Sequence, residues 1–142
     1  MRKLPALLAA AALLLGGASP VQAGDAQAPA LKGIDPVTYF NPGKPAKGDS
    51  DISYEFDDTR YLFVSEKNRA SFAADPERYV PQFGGLCAAG LSAGAHATAD
   101  PRVFKIVDGK LYVFSSVAAR DKMNKDPTML KRAQDVWRRE HR

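Results

Sequence analysis

The chain's soft and nucleophilic side chains are concentrated in one stretch. Phe83-Gly84-Gly85-Leu86-Cys87-Ala88-Ala89-Gly90-Leu91-Ser92-Ala93-Gly94-Ala95-His96 holds the only cysteine and one of the two histidines. Gly84-Gly85 followed by a helix-forming run places Cys87 in the first turn of a short helix, where the positive end of the dipole favours a thiolate. The small residues around it let a second backbone or a flat ligand come close, and equally let the helix pack tightly on a sheet. Free cysteine is also among the most often buried side chains, so an inert apolar role for Cys87 stands beside the reactive one.

His96 follows Cys87 closely enough to suggest a Cys/His pair, with Met123 or Met129 as a third ligand. Copper(I), which is soft and accepts few ligands, is the ion that such a set suits. Structural zinc takes four Cys or His ligands. After residue 23 the chain offers only Cys87, His96 and His141, so structural zinc is not expected. A Cys87–His96 dyad would serve nucleophilic catalysis, but the motifs that surround cysteine-hydrolase nucleophiles are missing. There is also no phosphate-binding glycine loop and no His-Glu-x-x-His run. No catalytic residue is assigned. The candidate ligand-binding or reactive residues are Cys87, His96, Gly84 and Gly85, with the ligand and any metal left open.

The elements that would position these residues are legible on both sides. Asp35-Pro36 caps and opens a short helical turn that buries Tyr39 and Phe40. Ile52, Tyr54 and Phe56 alternate with polar residues, and Tyr61 to Val64 is apolar, which reads as a hairpin across Asp57–Arg60. Ser65 then caps a helix of about nine residues carrying Phe72. Val103–Val107 and Lys110–Phe114 flank Asp108-Gly109, a strong hairpin signal, and Ser115 or Ser116 caps the next helix. Met129, Leu130, Ala133, Val136 and Trp137 form the apolar stripe of a C-terminal helix, with Trp137 expected to be mostly buried.

Tyr54–Ser65 can be laid over Phe104–Ser115 without a gap, and one inserted residue then brings Asp75-Pro76 onto Asp126-Pro127. This is either an internal repeat or the ordinary likeness of any two hairpin–helix units. The fold class is therefore α+β: two β-hairpin–helix units forming an antiparallel sheet with helices packed on it, plus an amphipathic C-terminal helix.

Arg2-Lys3, the Ala/Leu-rich run from Leu4 to Leu15 and Val21-Gln22-Ala23 are the three parts of a secretory signal, residues 1–23. The apolar run falls short of the roughly 20 residues that a membrane-spanning helix needs. No cysteine near the cut can take a lipid, so no permanent membrane anchor is expected and the protein is placed in the periplasm or secreted. Losing Arg2 and Lys3 lowers the formal charge from +4 to +2, too little to suggest a nucleic-acid partner. Residues 24–33 read as a disordered leader and 34–140 as one domain. A lone thiol rules out a disulfide within the monomer.

Asp35-Pro36-Val37-x-Tyr39-Phe40, the run Phe63-x-Ser65-x-x-Asn68-x-x-x-Phe72-x-x-x-Pro76-x-x-Tyr79, Gly84-Gly85-x-Cys87-Ala88 and Asp108-Gly109-Lys110-Leu111-Tyr112 resemble exported bacterial YHS-domain proteins. The resemblance spans Gly33 to Trp137. It implies a fold more firmly than an activity. Many YHS and related metal-sensing domains bind metal through cysteines near the second strand and the following helix, and the matching positions here are Val64 and Asn68, which supply no thiolate. What the resemblance leaves is an extracytoplasmic binding or accessory module, with the Cys87 segment as the expected contact for a metal, cofactor or protein partner. A thiol-dependent enzyme or redox factor, and a structural domain with Cys87 inert, are the alternatives. Exposure of the Cys87 sulfur separates them.

Overall fold

The computed structural model describes residues 27–142. The expected signal peptide and the first residues of the expected leader lie outside the described residues. Eight elements run β1 (Asp49–Phe56), β2 (Thr59–Phe63), α1 (Glu66–Ala74), α2 (Ala88–Ser92), β3 (Asp100–Val107), β4 (Lys110–Phe114), α3 (Val117–Lys125) and α4 (Thr128–Glu140). The α+β class holds. The hairpins remain two separate antiparallel ribbons, β1–β2 and β3–β4, and do not merge into one sheet.

The internal likeness reaches backbone detail, in a register one residue away from the sequence overlay of the hairpins. Ser53 faces Leu62 as Phe104 faces Val113, and a bulge precedes both pairs, back to Asp49–Phe63 and Asp100–Phe114. The same constant spacing joins the capping serines Ser65 and Ser116, the buried Phe72 and Met123, and Asp75-Pro76 with Asp126-Pro127. No inserted residue is needed. Apolar matching had paired Tyr54 with Phe104. Side chains alternate faces along a strand, so that one-residue slip sets an exposed ring, Tyr54, against one packed on Tyr39. Ser116, not Ser115, caps α3 by accepting the Ala119 N–H at 3.1 Å.

The segments ahead of each hairpin match as well. Leu31, Lys32 and Gly33 have φ of 56°, 51° and 86°, and Phe83, Gly84 and Gly85 have 59°, 60° and 82°. Three successive left-handed residues form a turn that L side chains disfavour, yet Leu31 and Lys32 adopt it. The first turn is Ala30–Gly33, with Gly33 buried, so the ordered domain begins earlier than Ile34 and the expected leader to Gly33 is shortened. After each turn the chain enters a capped helical stretch. Its first N–H is tied to a distant carbonyl, Asp35 to Ala46 and Cys87 to Ala97, both at 2.9 Å.

Each unit has its own core. In the first, Phe72 is fully buried and meets Tyr54, Phe56, Tyr61, Phe63 and Tyr79. In the second, Cys87, Ala88, Leu91, Tyr112, Phe114 and Met123 are buried under α4, whose Ala133 is fully buried and whose Met129, Leu130, Val136 and Trp137 pack on the cluster. Trp137 is only half-buried, less than its place on the stripe suggests. It lies at the edge of the cluster, against Phe83 on one side and stacked on His141 on the other.

Asp35 and Thr38 are the buried polar side chains of the first unit among the described residues, and Asp35 is the acidic one. It is fully buried and forms no ion pair among the described residues. Its Oδ1 accepts the Val37 N–H, and its Oδ2 accepts the Val64 N–H and the Asn68 Nδ2–H, each at 2.8 Å. Three segments are thereby fastened to one carboxylate. Asp35→Ala would leave three donors without their acceptor and is expected to lower the unfolding free energy by roughly 3–5 kcal/mol in urea titration. A loss below about 1 kcal/mol would show that the anchor is dispensable.

Candidate functional site

Cys87 occupies in the second unit the place that Asp35 holds in the first. It is the N-cap of α2, one residue before the first turn expected for it, and is 1% exposed. Its Sγ accepts the Gly90 N–H at 3.4 Å. The Ala89 N–H and the N–H and hydroxyl of Ser115 also donate to it. The correspondence with Asp35 is close: Ala89 stands where Val37 does and Ser115 where Val64 does. Ser115, the serine that α3 leaves uncapped, thus serves the sulfur.

The donors decide the ionisation. Burial pushes the Cys87 thiol up, but the Ser115 hydroxyl, followed by the Gly90, Ser115 and Ala89 backbone, outweighs it and the net shift is downward from 9.0. The cause is a ring of hydrogen-bond donors in a low-dielectric setting. No histidine contributes. His96 is exposed and its Nε2 pairs with Glu140 Oε2 at 2.8 Å, tying the loop after α2 to the end of α4.

The expected Cys87–His96 pair is therefore not assembled. Met123 shares the buried cluster with Cys87 and Met129 packs against it, which brings soft sulfur atoms into one core without a histidine. Among the described residues no three of His, Cys, Asp and Glu gather as a metal would require. Val64 and Asn68, the positions matching the wider family's ligands, both donate to Asp35 instead.

Gly84 and Gly85 do not touch a Cys87 ligand site. They form the left-handed turn and line an open cleft of about 1040 Å3 between the two units. A Cβ on Gly84 would approach Trp137 Cη2 to 3.5 Å, so glycine both permits the turn and lets the indole close over it. Opposite stand Leu31 and Lys32 of the matching turn, with Phe56 and Tyr61. Sequence reading singled out the glycines but not this cleft. Its other wall comes from residues far away in the chain whose turn carries no glycine signal before Gly33.

Comparison with known protein families, with curated proteins and with solved structures finds no match to this chain. Among the described residues no helix is long and apolar enough to cross a membrane.

The pH dependence of stability follows from the cradle. The folded thiol releases its proton at lower pH than the unfolded one, so folding stability rises with pH from the folded pKa up to about 9.0 and is lost again as pH falls through the folded value. Cys87→Ala is expected to abolish this rise in the chemical denaturation midpoint. An identical pH profile in the variant would mean that the buried sulfur stays protonated.

Proposed function

We propose that this chain is an exported, YHS-like binding or accessory module, not an enzyme, and that it receives its ligand in the cleft between the two units. The observation that carries the reading is the lining of that cleft: corresponding left-handed turns from both units, together with Phe56, Tyr61, Phe83 and Trp137. Aromatic side chains with a few polar groups around a concave junction are the usual makeup of a ligand site. The sequence motifs quoted above support the family, and the N-terminal pattern supports export.

Cys87 belongs to the framework in this reading. A sulfur that is 1% exposed and surrounded by its own chain's donors has no approach for a substrate, which argues against the thiol enzyme. The metal or cofactor contact expected at the Cys87 segment moves to its flanking residues, Gly84 and Gly85, which do face the cleft.

Trp137 is the only tryptophan and borders the cleft, so its emission reports occupancy. Fragments found by ligand-observed NMR are expected to shift that emission and to move the amide resonances of Thr59, Gln82 and Gly84. If compounds that bind leave all four signals unchanged, the cleft is not the site. A thiol reagent is expected to modify Cys87 only as fast as the native protein opens; rapid stoichiometric labelling of the folded protein would restore the reactive-thiol reading.

A further inference from the structure

A second concavity, of about 500 Å3, opens at the junction of the two units beside the aromatic cleft. Lys32 and Lys47 reach it from the first unit, and Arg102, Thr98, Ser115 and Asp100 from the second. Its charge is unbalanced: three cations face one carboxylate. None of Lys32, Lys47 and Arg102 forms an ion pair with a carboxylate among the described residues, whereas Lys131, Arg132 and Arg138 on α4 are each paired. The one acid, Asp100, already accepts the Arg102 N–H on Oδ1 at 2.9 Å.

The cations start from fixed backbone. Lys32 lies in the left-handed turn, Lys47 is bridged to Ile34, and Arg102 belongs to the bulged end of β3. Like charges gathered in a concave surface repel one another, and the repulsion is relieved when an anion binds between them. Guanidinium and ammonium groups with the Thr98 hydroxyl at the rim offer the donors that phosphate and carboxylate oxygens take.

We propose that this concavity binds a small multivalent oxyanion carrying phosphate or several carboxylate groups. The concavity adjoins the aromatic cleft, and Lys32, Thr98, Ala99 and Pro101 border both. Lys47 and Arg102 do not line the cleft, so variants at those two positions test the anion site alone.

Pyrophosphate and citrate are the probes, titrated calorimetrically into the full-length mature protein at about 20 mM ionic strength, where screening is weak. At least one is expected to bind with a sub-millimolar constant; which of the two binds tells phosphate from polycarboxylate. Lys47→Gln and Arg102→Gln are each expected to weaken binding about tenfold, the loss of one charge-assisted contact. Asp100→Asn, which keeps an acceptor for the Arg102 N–H, is expected to strengthen it severalfold. Lys125→Gln on α3 removes an equal charge elsewhere and is expected to leave it unchanged. Absence of binding by either probe below about 10 mM, or an equal loss in Lys125→Gln, would overturn the proposal.

Discussion

A carboxylate sealed inside a small domain without a cation is costly unless every lone pair it turns inward finds a donor. Asp35 meets that condition with the Val37 N–H, the Val64 N–H and the Asn68 amide, and so the entry turn, the end of β2 and the start of α1 have only one mutual arrangement. Phe72 can then stand among its ring neighbours, because α1 is held at the height where Tyr61 and Phe63 point. Packing alone would tolerate small slips of that helix. The directional bonds to Asp35 do not.

The second unit repeats the geometry with a weaker acceptor. A thiol or thiolate at Cys87 accepts at longer range than a carboxylate and makes less demand on its donors, which suits a unit whose anchor is assisted from above by α4. The first unit has no such helix: after α1 the chain makes a single turn at Pro76–Arg78 and moves on. The difference between the two anchors thus follows the cover available to each unit. The surfaces left at the junction of the two units, one aromatic and one cationic, belong to neither unit alone, and this is why binding is proposed there and not at either anchor.

Much of the framework was legible in the sequence. Asp108-Gly109, Ser65 and the α4 stripe marked their elements because turn, cap and period are local properties, and the hairpin–helix repeat was visible in outline. Its register was not, since aromatic identity at Tyr54 and Phe104 outweighed strand alternation, which only the pairing partners reveal. Asp35 was readable as a cap, but nothing local tells that a capping carboxylate also reaches residues 64 and 68. The site was less legible still. Leu31 and Lys32 have no glycine to announce positive φ, so the turn opposite Gly84-Gly85 was hidden, and Ser115 looked like a rival helix cap when its partner is a sulfur. His96 was drawn toward Cys87 by nearness in sequence, whereas its closest charged partner is Glu140.

The lid over Cys87 is the 13-residue helix α4, the last element of the chain. Synthesis proceeds from the N-terminus, so every other part of the second unit is made before this helix is. In that interval Tyr112, Phe114 and the sulfur share an uncovered apolar surface, and the thiol is open to oxidants and to other thiols. Docking of Leu130, Ala133 and Val136 ends the exposure. The burial of Cys87 is therefore acquired late, and a molecule that loses α4 carries a more exposed cysteine than one that keeps it.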